Sequence, residues 1–329
     1  MQALAFDLGG TFLRAAVTGM GQTLTAIANQ RVASLSADCG VWDGVTDAIA
    51  AYEAAHRSAV ARSAPIVVAF PGPVAANRKI LQAPTVVGDA DVPDIALALQ
   101  ERTGRTVHVL NDISAAAWYL AEHSDASRFL VVTISSGIGS KLFDRNHPAG
   151  VLDEPPYAGE IGHFVVDDSA DAAVCDCGAR GHLGGIASGR GIERAAQRQA
   201  VLEPARFKGS MAARLARGSV LNNEAHIAPA AAAGDMWTWR VIEECTRPLA
   251  RTILATVMAA GLDRVFIVGG FAQAIGMPYQ ALLTRLLLDA SRYAVMRDRL
   301  ESLVTVVDAH ENACLKGCGV YARLRGARQ

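Results

Sequence analysis

Residues 3–17 read Ala3-Leu4-Ala5-Phe6-Asp7-Leu8-Gly9-Gly10-Thr11-Phe12-Leu13-Arg14-Ala15-Ala16-Val17. An apolar run closes on one carboxylate, Asp7. A turn follows at Gly9-Gly10-Thr11, and a second apolar run carries Arg14. Two short strands joined by a tight turn fit this order best. Glycine lets the backbone approach a ligand closely, and exposed turn amides suit phosphate oxygens. A carboxylate at the strand end can hold hydrated Mg2+. A hairpin with no ligand fits the same residues, because glycine turns are common.

A second copy changes the balance. Residues 130–143 run Leu-Val-Val-Thr-Ile-Ser-Ser-Gly-Ile-Gly-Ser-Lys-Leu-Phe, again strand, small-residue turn, strand. Thr133 takes the place of Asp7, and Ser136-Gly137 that of Gly10-Thr11. Two such hairpins predict two related lobes, each offering a phosphate-binding turn to a cleft between them. A third glycine turn, Gly269-Gly270, follows the apolar run 265–268. It reads equally as a nucleotide contact or as a plain strand-to-helix turn.

Composition is compatible with this architecture. A chain of 329 residues exceeds the usual single-domain size, and 51% hydrophobic residues can fill two cores. Lys and Arg total 31 against 32 Asp and Glu, a net charge of −1. That balance gives no reason to expect nucleic acid or an anionic membrane as a partner. No apolar run reaches the ~20 residues a bilayer span needs, and no signal-peptide pattern opens the chain. Six cysteines in this length do not make a disulfide scaffold. The expected location is cytoplasmic.

Periodicity and breakers give an α/β order. Helices are expected over 44–61 (core face Val45, Ile49, Tyr52, Ala55), 92–102, 112–123, 190–216, 235–261 and 312–325. Strands are expected over 64–70, ending at Pro71-Gly72-Pro73, and over 106–110, 265–268 and 303–307. Residues 147–190 lack periodicity and are rich in Gly, Pro, Cys and His, as a functional loop or a small metal subdomain would be.

Asn111-Asp112 falls where a strand gives way to a helix. Both residues are favoured helix caps. A carboxylate at a strand end can also accept the proton of a substrate hydroxyl as its oxygen attacks phosphorus. Beside two phosphate-type turns, Asp112 is the leading candidate for a general base. Further on, Gly159-Glu160-Ile161-Gly162-His163 precedes Cys175-Asp176-Cys177-Gly178-Ala179-Arg180-Gly181-His182. The Cys-x-Cys could be two buried thiols. Four soft or borderline ligands this close, His163, Cys175, Cys177 and His182, suit tetrahedral Zn2+. A closed set of four leaves no open position, so the metal's role would be structural, holding the loop that bears Glu160.

Taken together, these motifs resemble the ROK family, specifically its sugar kinases such as glucokinases and N-acylmannosamine kinases. The resemblance covers most of the chain. It implies a two-lobed, actin-like ATPase fold of the hexokinase and ribonuclease H type, with a zinc-binding loop. The smaller lobe is expected at residues 1–112 plus 312–329, and the larger at 113–311. The resemblance implies ATP and Mg2+ contacts at Asp7, Gly9, Gly10, Thr11, Arg14, Ser136, Gly137, Ser188, Gly189, Gly269 and Gly270. It implies sugar contacts at Gly72, Asn111, Asp112, Glu160 and His163.

Four positions depart from the family pattern. His182 stands where a third Cys is expected. Gly184 replaces a Glu that ordinarily contacts the sugar near its anomeric end. Ser135 replaces the first glycine of the second phosphate motif. Thr85, in Ala83-Pro84-Thr85, replaces an Asn. Without the carboxylate at 184, substrate choice should differ from that of a glucokinase. The expected activity is ATP-dependent phosphorylation of the exocyclic hydroxymethyl oxygen of a hexose-like ring. The ring could be a hexose, an amino sugar or a C7-cyclitol, with a homodimer as the assembly to test. A sugar-responsive repressor of the same family is disfavoured, because only six residues precede Asp7 and a DNA-reading module has no room.

Overall fold

In a computed structural model of the chain, residues 2–19, 23–35, 40–82, 91–155 and 157–326 are described. The segment Ala83-Pro84-Thr85 lies outside them. Contacts divide the chain into two compact units. One comprises Met1–Asp125, Arg145–Ala158 and Asn312–Gln329, the other Ala126–Asp144 and Gly159–Glu311.

The first unit is built on a five-stranded sheet. Its strands are β1 (Ala3–Leu8), β2 (Phe12–Thr18), β3 (Leu24–Arg31), β4 (Ile66–Phe70) and β7 (Val107–Asn111), in the order β3-β2-β1-β4-β7. Two short strands, β5 (Val74–Ala75) and β6 (Lys79–Ile80), form a separate hairpin. β1, β2 and β3 pair antiparallel, while β4 and β7 join β1 in parallel. Leu4, Phe6 and Leu8 alternate into a core with Val45, Ile49, Val68 and Leu99.

The second unit repeats the plan in four strands, β8 (Arg128–Ile134), β9 (Ile138–Asp144), β10 (Arg264–Val268) and β11 (Val304–Val306), ordered β11-β10-β8-β9. β8 and β9 form the antiparallel hairpin, and β10 and β11 run parallel to β8. Leu130, Val132 and Ile134 of β8 enter a core with Ile253 and Leu283 of the helices Met236–Ala260 and Met277–Ala290. The duplicated hairpins β1–β2 and β8–β9 occupy matching places in the two sheets, and β3 adds a fifth strand to the first.

Three expectations need correction. The helix Asp112–His123 and residues 145–158 group with the first unit, not the second. Packing decides this: Gly317 of the C-terminal helix Ala313–Gly326 lies against Ala115, and Arg325 Nη2 donates to the carbonyls of Pro148 and Ala149 at 3.0 and 2.6 Å. The helix expected over 190–216 is three: Gly189–Leu202, Pro204–Lys208 and Met211–Ala216. Pro204 has no N–H to donate, so it starts a helix and cannot continue one. In the helix Val41–His56, Glu53 is buried and Ala55 exposed, because the Glu53 carboxylate accepts from Arg105 Nε at 2.7 Å and Arg57 Nη2 at 2.7 Å. The strand β3 and the helices Met277–Ala290 and Ala294–Leu303 lie outside the elements expected above, although Tyr279, Leu282, Leu283, Leu286 and Leu287 recur at helical spacing.

The helix contact at Gly317 is checkable. A Cβ there would lie 1.7 Å from the Ala115 carbonyl oxygen. Alanine favours a helix over glycine by about 1 kcal/mol, but overpacking costs about 1–3 kcal/mol. Gly317→Ala should therefore lower stability in urea titration. A stabilised variant would show that the two helices do not meet there.

Candidate active site

In the first unit the candidate residues gather at the carboxyl ends of β1, β4 and β7. Asp7 pairs with Ala69, and Phe70 with Asn111. Asp7 and Asp112 therefore stand two strands apart, about 10 Å at the usual interstrand spacing. Asn111 caps the helix Asp112–His123, its Oδ1 accepting from the amides of Ile113 (3.0 Å) and Ser114 (3.2 Å). Its Nδ2 donates to the Gly72 carbonyl at 2.9 Å. The cap reading is thus correct, and the same amide fastens the segment after β4. The Asp112 Oδ1 accepts from the Ile113 amide at 2.8 Å.

Asp7 is buried, with Oδ2 held 2.8 Å from Arg14 Nη2. Burial pushes its carboxyl above the usual range, and the Arg14 charge opposes this. In the turn, Gly10 and Thr11 are exposed. The Gly9 amide donates to the Phe12 carbonyl (2.8 Å), and the Thr11 carbonyl accepts from Val32 (2.9 Å). Sequence reasoning passed over Cys314. Its Sγ lies 3.5 Å from the Asp112 carbonyl, and its thiol is pushed well up by burial and by the charges of Asp7 and Asp112. One thiol thus senses both carboxylates.

In the second unit Thr133 holds the place of Asp7. Each stands one residue before the last cross-hairpin pair, Leu8 with Leu13 and Ile134 with Ile138. Three segments of this unit meet here, the turn Ser135-Ser136-Gly137, Ser188-Gly189 and Gly269-Gly270. The Gly189 amide donates to the Ser135 carbonyl at 2.7 Å, so it is already engaged. Gly269 has φ +98°, and a Cβ on it would lie 2.6 Å from Thr133 Oγ1, so only glycine fits beside β8. Gly270 opens the short helix Gly270–Ile275. Ser136 is exposed at the turn tip, with Gly137 beside it. Ser188 is a helix cap, accepting from the Gly191 amide at 3.1 Å.

The same unit carries the Glu160–His163 turn. Ser140 Oγ donates to the Gly159 carbonyl, and Lys141 Nζ donates to Glu160 Oε1 at 3.2 Å. Lys141 was also missed. A lone lysine inside an apolar strand was the available signal. His163, Cys175, Cys177 and His182 come together, their ligand atoms all within 4.8 Å of one another. Cys177 Sγ is 3.2 Å from His182 Nδ1, and burial pushes the Cys175 thiol up. Position 184 adjoins this turn: a Cβ there would lie 3.2 Å from the Gly162 carbonyl.

The ROK family profile matches residues 3–315. The chain belongs to the ROK family. It is 36% identical over 288 residues to a C(7)-cyclitol 7-kinase of Streptomyces hygroscopicus subsp. jinggangensis, covering 86% of this chain and 81% of that one. It is 30% identical over 275 residues to an N-acetylmannosamine kinase of Escherichia coli O139:H28, covering 82% and 83%. In structure it resembles a ROK hexokinase from Thermus thermophilus, with TM-score 0.74, 24% identity and full coverage of both chains. The fold is the hexokinase-type, actin-like one, and the chain is an ATP-dependent kinase of the sugar-kinase class.

Burial at Asp7 has a consequence for stability. A carboxyl whose folded pKa lies above its unfolded value favours folding at low pH and opposes it once ionised. Asp7→Asn should raise the melting temperature at pH 7–8, and the gain should shrink toward pH 4. A variant less stable than the parent at pH 8 would contradict the burial argument.

Proposed function

We propose that the protein transfers the γ-phosphoryl group of ATP to the exocyclic hydroxymethyl oxygen of an uncharged, hexose-like carbocycle of the C7-cyclitol type. The carrying observation is Gly184. This position lies against the Glu160–His163 turn and bears no side chain. A ring with no hydroxyl on that side loses no hydrogen bond there, whereas a hexose does. The 36% identity to a C(7)-cyclitol 7-kinase supports the same choice over the 30% identity to an N-acetylmannosamine kinase. Of the two acids that could substitute, Glu154 and Asp153, Asp153 accepts from Ser114 Oγ at 2.7 Å and is already engaged, and Glu154 is exposed.

In this reading Asp112 accepts the proton of the ring hydroxyl as its oxygen bonds to the γ-phosphorus, the bond to the β-bridging oxygen breaks, and ADP leaves. Asn111 is a positioning residue that sets the start of the Asp112 helix and the Gly72 segment. Asp7 offers hard oxygen ligation that suits Mg2+, which when bound would neutralise phosphate charge. Arg14 holds Asp7 and adds a cation beside the turn. Gly9, Gly10, Thr11, Ser136, Gly137, Ser188, Gly189, Gly269 and Gly270 are the proposed nucleotide-contacting positions, of which Gly10, Thr11 and Ser136 are exposed. Glu160 and His163 would face ring hydroxyls.

Zn2+ fits the Cys/His cluster. Two thiols and two imidazoles with ligand atoms within 4.8 Å of one another suit a tetrahedral ion with bonds of about 2.0–2.3 Å. His182 supplies imidazole where the family pattern has a thiol. Bound there, the ion would tie the turn bearing Glu160 to the loop 175–182.

ADP release measured across hexoses, amino sugars and cyclitols tests the substrate. The best kcat/KM should fall on a cyclitol, and a glucose value above about 10^4 M^-1 s^-1, an ordinary enzyme efficiency, would overturn it. Asp112→Asn should lower kcat about 100- to 10,000-fold while ring binding persists. Turnover within a few-fold of the parent would remove Asp112 as base. Elemental analysis after dialysis should find about one Zn2+ per chain, and metal-free protein with full activity would contradict the structural metal.

A further inference from the structure

Lys141 is a buried ammonium in mid-strand, in β9, whose other charged residue, Asp144, lies at the strand's end and pairs with Arg128. The Lys141 side chain is 3% exposed, and it lies opposite Val131 on β8, between Gly139 and Phe143 on one face of β9. A buried ammonium is costly without a charged partner. Here Glu160 provides one, at 3.2 Å, with 32% of its own side chain exposed. β9 also holds the turn at two further points. Ser140 Oγ donates to the Gly159 carbonyl, and the Ile138 carbonyl lies where a Cβ on Gly162 would come within 2.1 Å. The Glu160 carboxylate is thus fixed in place and balanced in charge from the protein side, before any ligand arrives.

Charge balance changes what such a carboxylate selects. A lone Glu attracts a protonated amine strongly. A Glu already paired to a buried Lys still accepts hydrogen bonds from hydroxyls, but exerts little net pull on a cation. Position 184 supplies no second carboxylate beside the turn. We propose that Lys141 is a specificity-determining residue: by pinning Glu160 and cancelling its charge, it makes the site select an uncharged polyol ring over a ring bearing a protonated amine. The inference rests on the reading of Glu160 as a ring-facing residue of a kinase.

The test compares a neutral cyclitol and glucose with glucosamine, whose amine is protonated at the lower end of the working pH range. The parent protein should prefer the neutral rings. Lys141→Met should shift the ratio of kcat/KM for glucosamine over the neutral ring about tenfold or more toward glucosamine, mainly through KM, an effect on the scale of one charge-assisted hydrogen bond. Lys141→Arg should keep the parent's ratio. Ring-induced shifts in melting temperature should report the same change without turnover. If Lys141→Met does not fold, Glu160→Gln answers the question. It leaves the ammonium uncompensated, so glucosamine should lose more kcat/KM than the neutral ring. An unchanged ratio in folded Lys141→Met, or equal losses in Glu160→Gln, overturns the role of Lys141 and leaves the kinase reading standing. A parent protein that phosphorylates none of the rings overturns both, and shows this before any variant is made.

Discussion

The carboxamide of Asn111 is the contact on which the first unit's candidate site depends. Its oxygen satisfies two amides at the start of the helix Asp112–His123, and its nitrogen holds the Gly72 carbonyl. A helix start leaves amides without intrahelical partners, and a short polar side chain is the economical way to satisfy them. Because the cap residue is also the last residue of β7, strand and helix meet without a spacer. Asp112 is therefore fixed by backbone on both sides, and the C-terminal helix seals it from behind at Ala115. The proposed role of Asp112 as general base would gain from this, since such a base's efficiency rests on holding one geometry through the reaction.

The two units were legible because they repeat a pattern with a physical cause. An apolar strand, a small-residue turn and a returning strand leave little else to form, and the same sheet order follows in both units. Asp7 and Thr133 fell at matching registers for the same reason. Legibility failed where tertiary contacts override local signal. Glu53 reads as a surface residue until Arg105, 52 positions away, reaches it. Lys141 reads as a flaw in a strand until Glu160 is seen beside it. The grouping of residues 145–158 with the first unit depends on Arg325 and Ser114, which no window of sequence joins to them.

Asp7 carries an electrostatic cost in the folded chain. Its place at the end of a buried strand raises the cost of its charge, and Arg14 offsets only part of it. Asparagine would be the more comfortable residue, yet it could not give Mg2+ an anionic oxygen. Retaining the carboxylate makes sense if a cation completes the site, because a bound divalent ion favours the ionised form that burial opposes. The half-buried thiol of Cys314 lies in the same field, pushed up by burial and by the charges of Asp7 and Asp112.

The proposed role of the Glu160–His163 turn makes a different demand. Discriminating one polyol from another depends on hydrogen-bond geometry, because rings of similar size offer similar apolar area. A turn free to move by an ångström would accept many hydroxyl patterns. This one is fastened on one side by Ser140 and Lys141 of β9, and on the other His163 joins the cluster of Cys175, Cys177 and His182. The two fastenings are independent in chemistry, one ionic and hydrogen-bonded, the other suited to a metal. Glu160 lies between them, three residues from His163, so its carboxylate can be rigid although the loop around it has almost no regular structure. With no side chain at Gly184, the proposed recognition of ring hydroxyls from this unit would rest on that one held carboxylate and on His163, and the pairing of Glu160 with Lys141 is what the proposed selection among rings depends on.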